Sequence, residues 1–365
     1  MAADLGDIHE ATRSYERWLR TAMAVPAVES ELTAKREQMK ADPFRFFRGT
    51  FYRWAQVWPI ACKEVARAPR VLAVGDLHVG SFGTWRDGEG RLCWGVDDFD
   101  EAYPVPYTND LVRLAASVKM LIDSDEIDMK FRTACDLILE GYGRTLKDGG
   151  RPIVLAENET DLEQLGFQSL KPAPDFWRKL QRHPPVRREQ LPTDAGAAIE
   201  ATLPDACSSY KVVRRRAGLG SLGQPRFVAI ANWQGGCIAR EAKAYLPSAY
   251  VWLTGNAPRR PRYYEQLIMS AVRSRDPYQN VNHGWIVRRL SPDSNPIEIA
   301  DLGKRDDEVL LYAMAQETAN VHLGTRKRVQ HVLRDLRGRK RKWLRSAGKA
   351  MARVMEREWE EYAAT

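Results

Sequence analysis

The chain has 365 residues, 44% apolar and 28% charged, which is typical of a globular protein large enough for two lobes or domains. Eleven Trp, thirteen Tyr and ten Phe residues exclude a disordered chain, and the acidic start and lack of an apolar run of about twenty residues predict a cytoplasmic protein without a membrane span. The net charge of +8 lies wholly in residues 326–365. Five widely spaced cysteines without a CxxC pair indicate reduced thiols rather than disulfides or a zinc site.

The first part of the chain is predicted to be helical around two short strands. Apolar and charged residues alternate at helical spacing over residues 10–60, and the apolar runs at 71–74 and 92–96 predict buried strands. We interpret these two strands as a hairpin. Asn109 is the predicted N-cap of the next helix, and a further helix is predicted over 128–146.

The second part of the chain is predicted to be rich in strands and to end in helices. Residues 147–208 are rich in Pro and Gly, and we interpret them as a linker region with one or two short helices. Beyond them a helix is predicted over 263–273, helical structure from Asp306 onward, and strands at 210–213, 226–231, 237–243, 285–290 and 297–300. This pattern predicts an α+β protein with a helical lobe over 1–208, a strand-rich lobe over 209–303, and helices over 304–365 that return to the first lobe.

Polar residues follow the first predicted strand in a loop with several glycines, residues 75–83, which we call the Asp76 loop. Asp76 and His78 lie near its start. An acid or base placed there suits chemistry on a phosphate or near a metal, because small residues let the backbone approach a ligand. A buried turn with a capped histidine is the structural alternative.

The second predicted strand ends in an acidic run, residues 97–101, with four carboxylates: Asp97, Asp98, Asp100 and Glu101. Such carboxylates repel one another unless a cation compensates them, and Mg²⁺ prefers oxygen ligands of this kind. The run is therefore a candidate metal site, and an acidic surface loop is the alternative.

A GxGxxG motif, GLGSLG at 218–223, lies between two predicted strands, and we call it the glycine loop. Its position suits a flap over nucleotide phosphates, since a dinucleotide fold needs a helix at the third glycine. We expect phosphate contacts at Gly218, Gly220, Ser221 and Gly223.

The strand after the glycine loop carries two basic residues, Arg240 and Lys243, and Glu265 lies on the helix that follows. A basic residue paired with such a glutamate holds the polyphosphate donor in phosphoryl transfer. Lys243 is three residues beyond Arg240 and so on the opposite strand face, and the sequence leaves open which of them contacts phosphate. A solvent-exposed salt bridge is the alternative.

Four segments carry a family resemblance: 39–49 (MKADPFRFFRG), the Asp76 loop (GDLHVGSFG), the acidic run with 110–117 (DLVRLAAS), and the glycine loop with 240–242. In this order they resemble the bacterial domain of unknown function 2252 family, over nearly the whole chain. The Asp76 loop and the acidic run are also similar to the HGDLHxGN and IDFxDA segments of aminoglycoside and choline phosphotransferases, which share the protein-kinase fold.

The second resemblance implies a two-lobed, kinase-like fold that is circularly permuted, because the catalytic-type segments here precede the nucleotide-binding ones. The segment 313–322 is similar to the helix that normally precedes the catalytic loop. The resemblance implies an ATP- and Mg²⁺-dependent phosphotransferase that acts on a hydroxyl of a small molecule. Transfer of a nucleotidyl group and a catalytically inactive nucleotide-binding protein are alternatives within the fold.

The resemblance also implies roles for single residues. Asp76 accepts the proton of the substrate hydroxyl, and His78 supports its loop. Asp98 holds Mg²⁺, with Asp100 as a second ligand. Two positions depart from the pattern of these families. Ser81 stands where they carry a metal-binding Asn, for which Asp97 could compensate, and Arg240 stands where they carry Lys.

Two other classes of protein share single features with the chain. The motif set of metallophosphoesterases also begins with GDLH. That class needs further histidines in GNH- and GHxH-type segments, and none of the six histidines of this chain is so placed. The basic residues of 326–345 could neutralise nucleic-acid phosphates. A helix that packs one face and solvates the other is the preferred explanation of that segment. The acceptor and the oligomeric state do not follow from the sequence.

Overall fold

The computed structural model describes residues 5–158, 170, 172–205, 207, 209–255, 263–294 and 304–364, and it confirms the α+β class. The chain begins with four helices: α1 (Ile8–Ala22), α2 (Glu29–Ala41), α3 (Pro43–Gly49) and α4 (Phe51–Ala61). Asp7 caps α1 and Asp42 caps α3, each by accepting a backbone N–H with its carboxylate. The aromatic residues between 44 and 58 enter the main hydrophobic core from α3 and α4.

The first strands pair differently from the predicted hairpin. Strand β1 (Arg70–Ala73) pairs antiparallel with β4 (Tyr103–Pro106), whereas β2 (Phe82–Arg86) pairs with β3 (Leu92–Val96). The hairpin prediction for 71–74 and 92–96 was therefore wrong. The reason is the Asp-Gly turn after β2, where the Asp87 carboxylate accepts the N–H groups of Glu89 and Arg91 and closes a shorter hairpin.

Two long helices follow, α5 (Thr108–Asp123) and α6 (Phe131–Asp148). The predicted cap is wrong by two positions, since Tyr107 is the N-cap and Asn109 lies inside the first turn. The Asn109 side chain is fully buried instead: its amide donates to the Gly75 carbonyl, and its oxygen accepts the Trp54 indole N–H. This residue ties the start of α5 to the Asp76 loop.

A six-stranded antiparallel sheet forms the second layer, in the order β5-β6-β7-β8-β10-β9. Its strands are β5 (Pro185–Val186), β6 (Lys211–Arg214), β7 (Arg226–Trp233), β8 (Gly236–Ala244), β9 (Asn280–Asn282) and β10 (Trp285–Leu290). The short helices α7 (Leu155–Asn158), α8 (Ala173–Gln181) and α9 (Thr193–Glu200) precede it. Leu180 of α8 packs on one face of the sheet and Ile199 of α9 on the other. The sheet layer thus includes α8, α9 and β5 from the predicted linker.

The remaining helices return to the helical core. They are α10 (Ala249–Thr254), α11 (Tyr263–Ser270), α12 (Lys304–Leu323), α13 (Val329–Gly338) and α14 (Trp343–Ala363). The predicted strand at 297–300 lies outside the described residues. Within those residues, no helix combines the length and the apolar character required to traverse a bilayer.

The basic C-terminal segment forms two helices that pack on one side. Leu344, Met351 and Met355 of α14 are completely buried, whereas its charged residues face outward. This arrangement agrees with the preferred explanation, a helix with one packed and one solvated face. All five cysteines are free, as predicted, and Cys62, Cys93 and Cys135 are buried.

Candidate functional site

Segments that are far apart in the sequence meet in one pocket. Its polar lining comes from α2 and α3, the Asp76 loop, the acidic run and the glycine loop: Lys35, Arg48, Asp76, Asp98, Asp100, Glu101, Gly220, Ser221 and Gln224. A Cβ atom on Gly220 would lie 3.9 Å from Oδ2 of Asp76, so the glycine loop covers this carboxylate directly. The cavity of about 40 Å³ has room for a few water molecules.

Asp76 presents one carboxylate oxygen to this pocket and uses the other for an ion pair. Its Oδ1 accepts the Nε–H of Arg113 at 2.7 Å, while its Oδ2 faces Gly220 and has no hydrogen bond among the described residues. Burial raises the pKa of Asp76, and the Arg113 guanidinium offsets only part of that effect. The free oxygen can therefore accept a proton from a group that enters the pocket.

Arg113 is completely buried and held from several sides. Its guanidinium donates to the Phe47 carbonyl at 2.9 Å and lies 4.0 Å from the Phe47 ring centre and 4.8 Å from that of Trp54. These cation–π contacts help a charge to remain in an apolar environment. Arg113 thus fixes the rotamer of Asp76.

The backbone that leads into the Asp76 loop is anchored by Asp110 in the first turn of α5. The Asp110 carboxylate accepts the N–H groups of Val74 at 2.8 Å and Gly75 at 3.1 Å, and it lies 3.0 Å from Nε2 of His322. The other ring nitrogen of His322 bonds the Tyr142 hydroxyl. This buried hydrogen-bond network joins the end of β1 to α5 and α12.

In the acidic run, Asp98 and Asp100 share the ammonium group of Lys243. Lys243 forms an ion pair with Oδ2 of Asp100 and lies 4.0 Å from Oδ1 of Asp98. Partial desolvation by the surrounding protein would by itself raise the pKa of Asp98, but the charges of Lys243 and Arg226 outweigh it and keep the pKa below the usual value. The Asp98 side chain is 57% exposed, so an ionised carboxylate faces the opening of the pocket.

The last carboxylate of the run, Glu101, is chemically different. Burial raises the pKa of Glu101 to about 8, although Oε2 accepts the Ala249 N–H at 2.6 Å and Ser248 also bonds the carboxylate. The side chain therefore binds a proton at neutral pH and contributes little charge to the pocket.

Replacing Glu101 with Gln is expected to change how stability depends on pH. The folded-state pKa of about 8 exceeds the ordinary value of 4.5, so the wild type loses stability as pH rises from about 4.5 to 8. The Gln variant lacks this loss, and its stability relative to the wild type should rise across that window. Urea unfolding at pH 5.5 and 8.5 measures the difference, with Glu360→Gln on the exposed side of α14 as control. Equal pH dependence in all three proteins would contradict the assignment.

Hydrogen bonds to α2 hold the glycine loop at its middle and at its C-terminal end. Lys35 of α2 donates to the Gly220 carbonyl at 2.8 Å, and the Gly223 N–H donates to Glu31 at 3.2 Å. Gly223 has a φ of +95°, and a Cβ atom there would lie 2.4 Å from Leu32, so this close approach requires glycine. On the sheet side, Arg226 donates to the Ser221 hydroxyl. Helix α2 and β7 together determine where the loop lies.

A buried cluster around Glu241 supports the loop from below. The Glu241 side chain is 1% exposed and pairs with Arg215 at 2.6 Å, Arg226 at 3.2 Å and Arg288 at 2.9 Å. Burial would raise its pKa, but the three guanidinium groups hold the pKa of Glu241 well below the usual value. Because Arg226 also contacts Ser221, this cluster links β8 to the glycine loop.

His78, Ser81 and Asp97 lie beside the pocket and do not line it. Nδ1 of His78 accepts the Gly80 N–H at 3.1 Å, and burial depresses the pKa of His78, so the ring stays neutral and holds the loop. The Ser81 hydroxyl donates to the Asp76 carbonyl at 3.1 Å. Asp97 lies 3.8 Å from Arg288. The geometry gives these predicted residues supporting positions.

The two basic residues of β8 have different surroundings. Lys243 points toward the acidic run, whereas Arg240 lies on the face that α9 covers, where it donates to the Thr202 carbonyl and stacks 3.7 Å from the Tyr278 ring centre. The structure therefore does not bring Arg240 to the pocket. Gly218, Gly223, Lys243 and Glu265 are not among the residues that line it either.

Sequence reasoning did not assign Lys35, Arg48 or Arg113 to the site. Arg48 and Arg113 lie within the segments that carry the family resemblance, and that position is the one sequence feature that could have pointed to them. Lys35 had none, because a lysine on an amphipathic helix normally faces solvent.

The carboxylates offer a partial set of ligands for a metal ion. In the described part of the chain, no group of three or more His, Cys, Asp or Glu residues is arranged to hold one. Asp98 is ionised and exposed, and Oδ1 of Asp100 is buried without a hydrogen bond partner among the residues that the structure describes. This donor set fits Mg²⁺, which is commonly held by one or two carboxylates together with substrate phosphates.

The region that contains these carboxylates is similar to a known protein family. Residues 27–182 match the model of DUF2252, described as an uncharacterized protein conserved in bacteria. Over this stretch the chain is similar to the DUF2252 family. The DUF2252 match includes α2, α3, the Asp76 loop and the acidic run, and it ends before the glycine loop. No curated protein and no solved structure matches the chain.

Proposed function

We propose that the protein is an ATP- and Mg²⁺-dependent phosphotransferase with a circularly permuted, kinase-like arrangement, acting on a hydroxyl of a small molecule. The observation that carries this proposal is the convergence of Asp76, Asp98 and Gly220 on one pocket. A proton acceptor, an ionised metal-type carboxylate and a glycine loop between two strands are the parts that phosphoryl transfer needs.

In this mechanism Oδ2 of Asp76 accepts the proton of the acceptor hydroxyl, while Arg113 holds Oδ1 and so the orientation of the carboxylate. Asp98 is the primary residue for holding Mg²⁺, and Asp100 stays paired with Lys243. Bound Mg²⁺ neutralises charge on the donor phosphates. Backbone N–H groups of the glycine loop suit phosphate oxygens because Gly220 has no side chain in the way.

The pocket has to open before a nucleotide binds. Its volume of about 40 Å³ is far below the ~300 Å³ or more of typical small-molecule sites. The glycine loop is the element that covers Asp76, so its displacement from α2 creates the space. Breaking the Lys35 hydrogen bond to Gly220 is part of this movement.

A thermal-shift screen of nucleotides with and without Mg²⁺ tests the proposal. A ligand that binds only the folded state raises the unfolding temperature, by an amount equivalent to ~2.7 kcal/mol at a hundred times its Kd. ATP with Mg²⁺ is expected to stabilise the protein more than ATP or Mg²⁺ alone. Absence of stabilisation by any nucleoside triphosphate would contradict the proposal.

The reaction type is distinguished by the product. Mass analysis of the modified acceptor separates transfer of a phosphoryl group, which adds HPO₃, from transfer of a nucleotidyl group, which adds a nucleoside monophosphate. Nucleotide binding without hydrolysis or transfer would instead identify an inactive nucleotide-binding protein. Either outcome, nucleotidyl transfer or binding without transfer, would replace the phosphotransferase proposal.

A further inference from the structure

Two cations in the pocket come from the N-terminal helices and have no part in proton transfer or phosphate binding in the mechanism above. Lys35 lies on α2, and Arg48 lies on α3 within the 39–49 segment that carries part of the family resemblance. Both are close to the glycine loop. Lys35 bonds the Gly220 carbonyl, and the Arg48 carbonyl oxygen lies 3.3 Å from the place where a Cβ on Gly220 would be.

The other cations around the pocket are already committed to carboxylates. Arg113 pairs with Asp76, Lys243 with Asp100, and Arg226 with Glu241. Each of the three cationic side chains is at least nine-tenths buried. Because these pairs largely cancel their charges, none of the three has a whole positive charge to offer to a ligand.

Arg48 differs from them. In the described part of the chain its guanidinium forms no ion pair, and its one cation–π contact is with Phe44, 5.9 Å from the ring centre. Its Nε is buried without a hydrogen bond partner among the described residues; one guanidinium nitrogen of Arg113 and one of Arg226 are also unpartnered, but both of those side chains have a carboxylate partner. A buried N–H of a charged group without an acceptor is costly, so such a group normally has a ligand or ordered water as its partner.

Arg48 also lies where a ligand under the glycine loop would pass. Its guanidinium carbon is 3.6 Å from the position of a Cβ on Gly80, at the edge of the Asp76 loop, while its backbone contacts the glycine loop. The residue therefore bridges the two loops between which the pocket opens. A guanidinium at this position has a planar pair of donors suited to two oxygens of one phosphate.

We propose that Arg48, with Lys35 and the backbone of Gly220 and Ser221, forms an oxyanion site that binds a phosphate group independently of any metal. The inference rests on the proposed function in so far as this phosphate belongs to the nucleotide donor. It gives the 39–49 segment a role in binding the ligand, and it replaces the phosphate contact for which the sequence offered Arg240 or Lys243. Asp98 and Arg48 then offer opposite charges to one metal–phosphate unit.

Calorimetric titration of inorganic pyrophosphate into metal-free protein tests the site. The proteins are wild type, Arg48→Ala, Arg48→Lys, and Arg45→Ala as a matched control on the exposed side of α3. Arg48→Ala is expected to bind pyrophosphate at least ~10-fold more weakly, and Arg48→Lys to fall between it and wild type, because an ammonium group lacks the planar pair of donors. Arg45→Ala should bind as the wild type does.

The unliganded proteins separate a binding role from a structural one. Since the Arg48 guanidinium has no ion-pair partner among the described residues, Arg48→Ala should unfold at the wild-type temperature or above it. A fall of several degrees would identify a structural residue and overturn the inference. Equal pyrophosphate binding by wild type and Arg48→Ala would also overturn it, as would no binding by the wild type.

The binding results for ATP with Mg²⁺ and for pyrophosphate show whether the Arg48 site or the proposed function has failed. If ATP with Mg²⁺ stabilises wild type and Arg48→Ala equally, the phosphotransferase proposal stands and the Arg48 site falls. If pyrophosphate binds in an Arg48-dependent manner but no nucleotide does, the anion site stands and the phosphotransferase proposal falls.

Discussion

Replacing Asp98 with Ala is expected to abolish the Mg²⁺-dependent part of nucleotide binding. Asp98 is the one ionised carboxylate of the acidic run that is largely exposed to the pocket opening. Loss of a charged ligand group worth about 3 kcal/mol corresponds to ~100-fold weaker binding of ATP with Mg²⁺. Binding of ATP without the metal should change little. Calorimetric titration with and without Mg²⁺ measures both quantities.

The fold of the Asp98→Ala variant should be intact, because Lys243 keeps Asp100 as its ion-pair partner. Its unfolding temperature without ligand is therefore expected to match the wild type, which separates lost binding from lost structure. Asp194→Ala, at an exposed position in α9, is the matched control for removal of an aspartate. Unchanged affinity for ATP with Mg²⁺ in Asp98→Ala would remove the metal assignment.

The largest expected effect on stability comes from replacing Glu241 with Ala. Glu241 is the shared partner of Arg215, Arg226 and Arg288, and its side chain is 1% exposed. Removing one partner of a buried ion pair destabilises a protein by about 3–5 kcal/mol, because the opposite charge stays buried without compensation. Urea unfolding followed by circular dichroism measures the change in the free energy of unfolding.

The Glu241→Gln variant keeps the hydrogen bond acceptor and removes the charge, so its loss of stability should be smaller. It also serves where Glu241→Ala is too unstable to isolate. Glu360→Ala, on the exposed side of α14, is the control and should change stability by less than ~0.5 kcal/mol. A change as small as this in Glu241→Ala would show that the cluster does not stabilise the sheet layer.

Local patterns predicted most strands and helices, but not how the strands pair. The runs at 71–74 and 92–96 are both strands, yet their partners depend on the turn at Asp87 and on β2, whose Phe82–Arg86 segment begins inside a glycine-rich loop. Pairing is a tertiary property, and hydrophobic pattern alone leaves it open. The two-residue error at Asn109 has a related cause, since its amide bonds the Asp76 loop rather than the helix.

The candidate site was predicted where its residues lie next to strand ends and glycines, as with Asp76, Asp98 and Gly220. It could not be predicted where contact depends on how distant helices dock. Lys35 resembles any lysine on an amphipathic helix until α2 packs against the glycine loop. Strand alternation placed Arg240 and Lys243 on opposite faces, but only the positions of α9 and the acidic run show which face meets the pocket.

The pocket is closed by contacts with a very large sequence separation. Lys35 and Gly220 are 185 residues apart, and Lys243 and Asp100 are 143 apart. Such contacts form only after most of the loop-closure entropy has been lost, so the site should assemble late in folding. A collapsed intermediate with native helices would therefore lack ligand affinity, and recovery of binding during refolding would report completion of the whole tertiary structure.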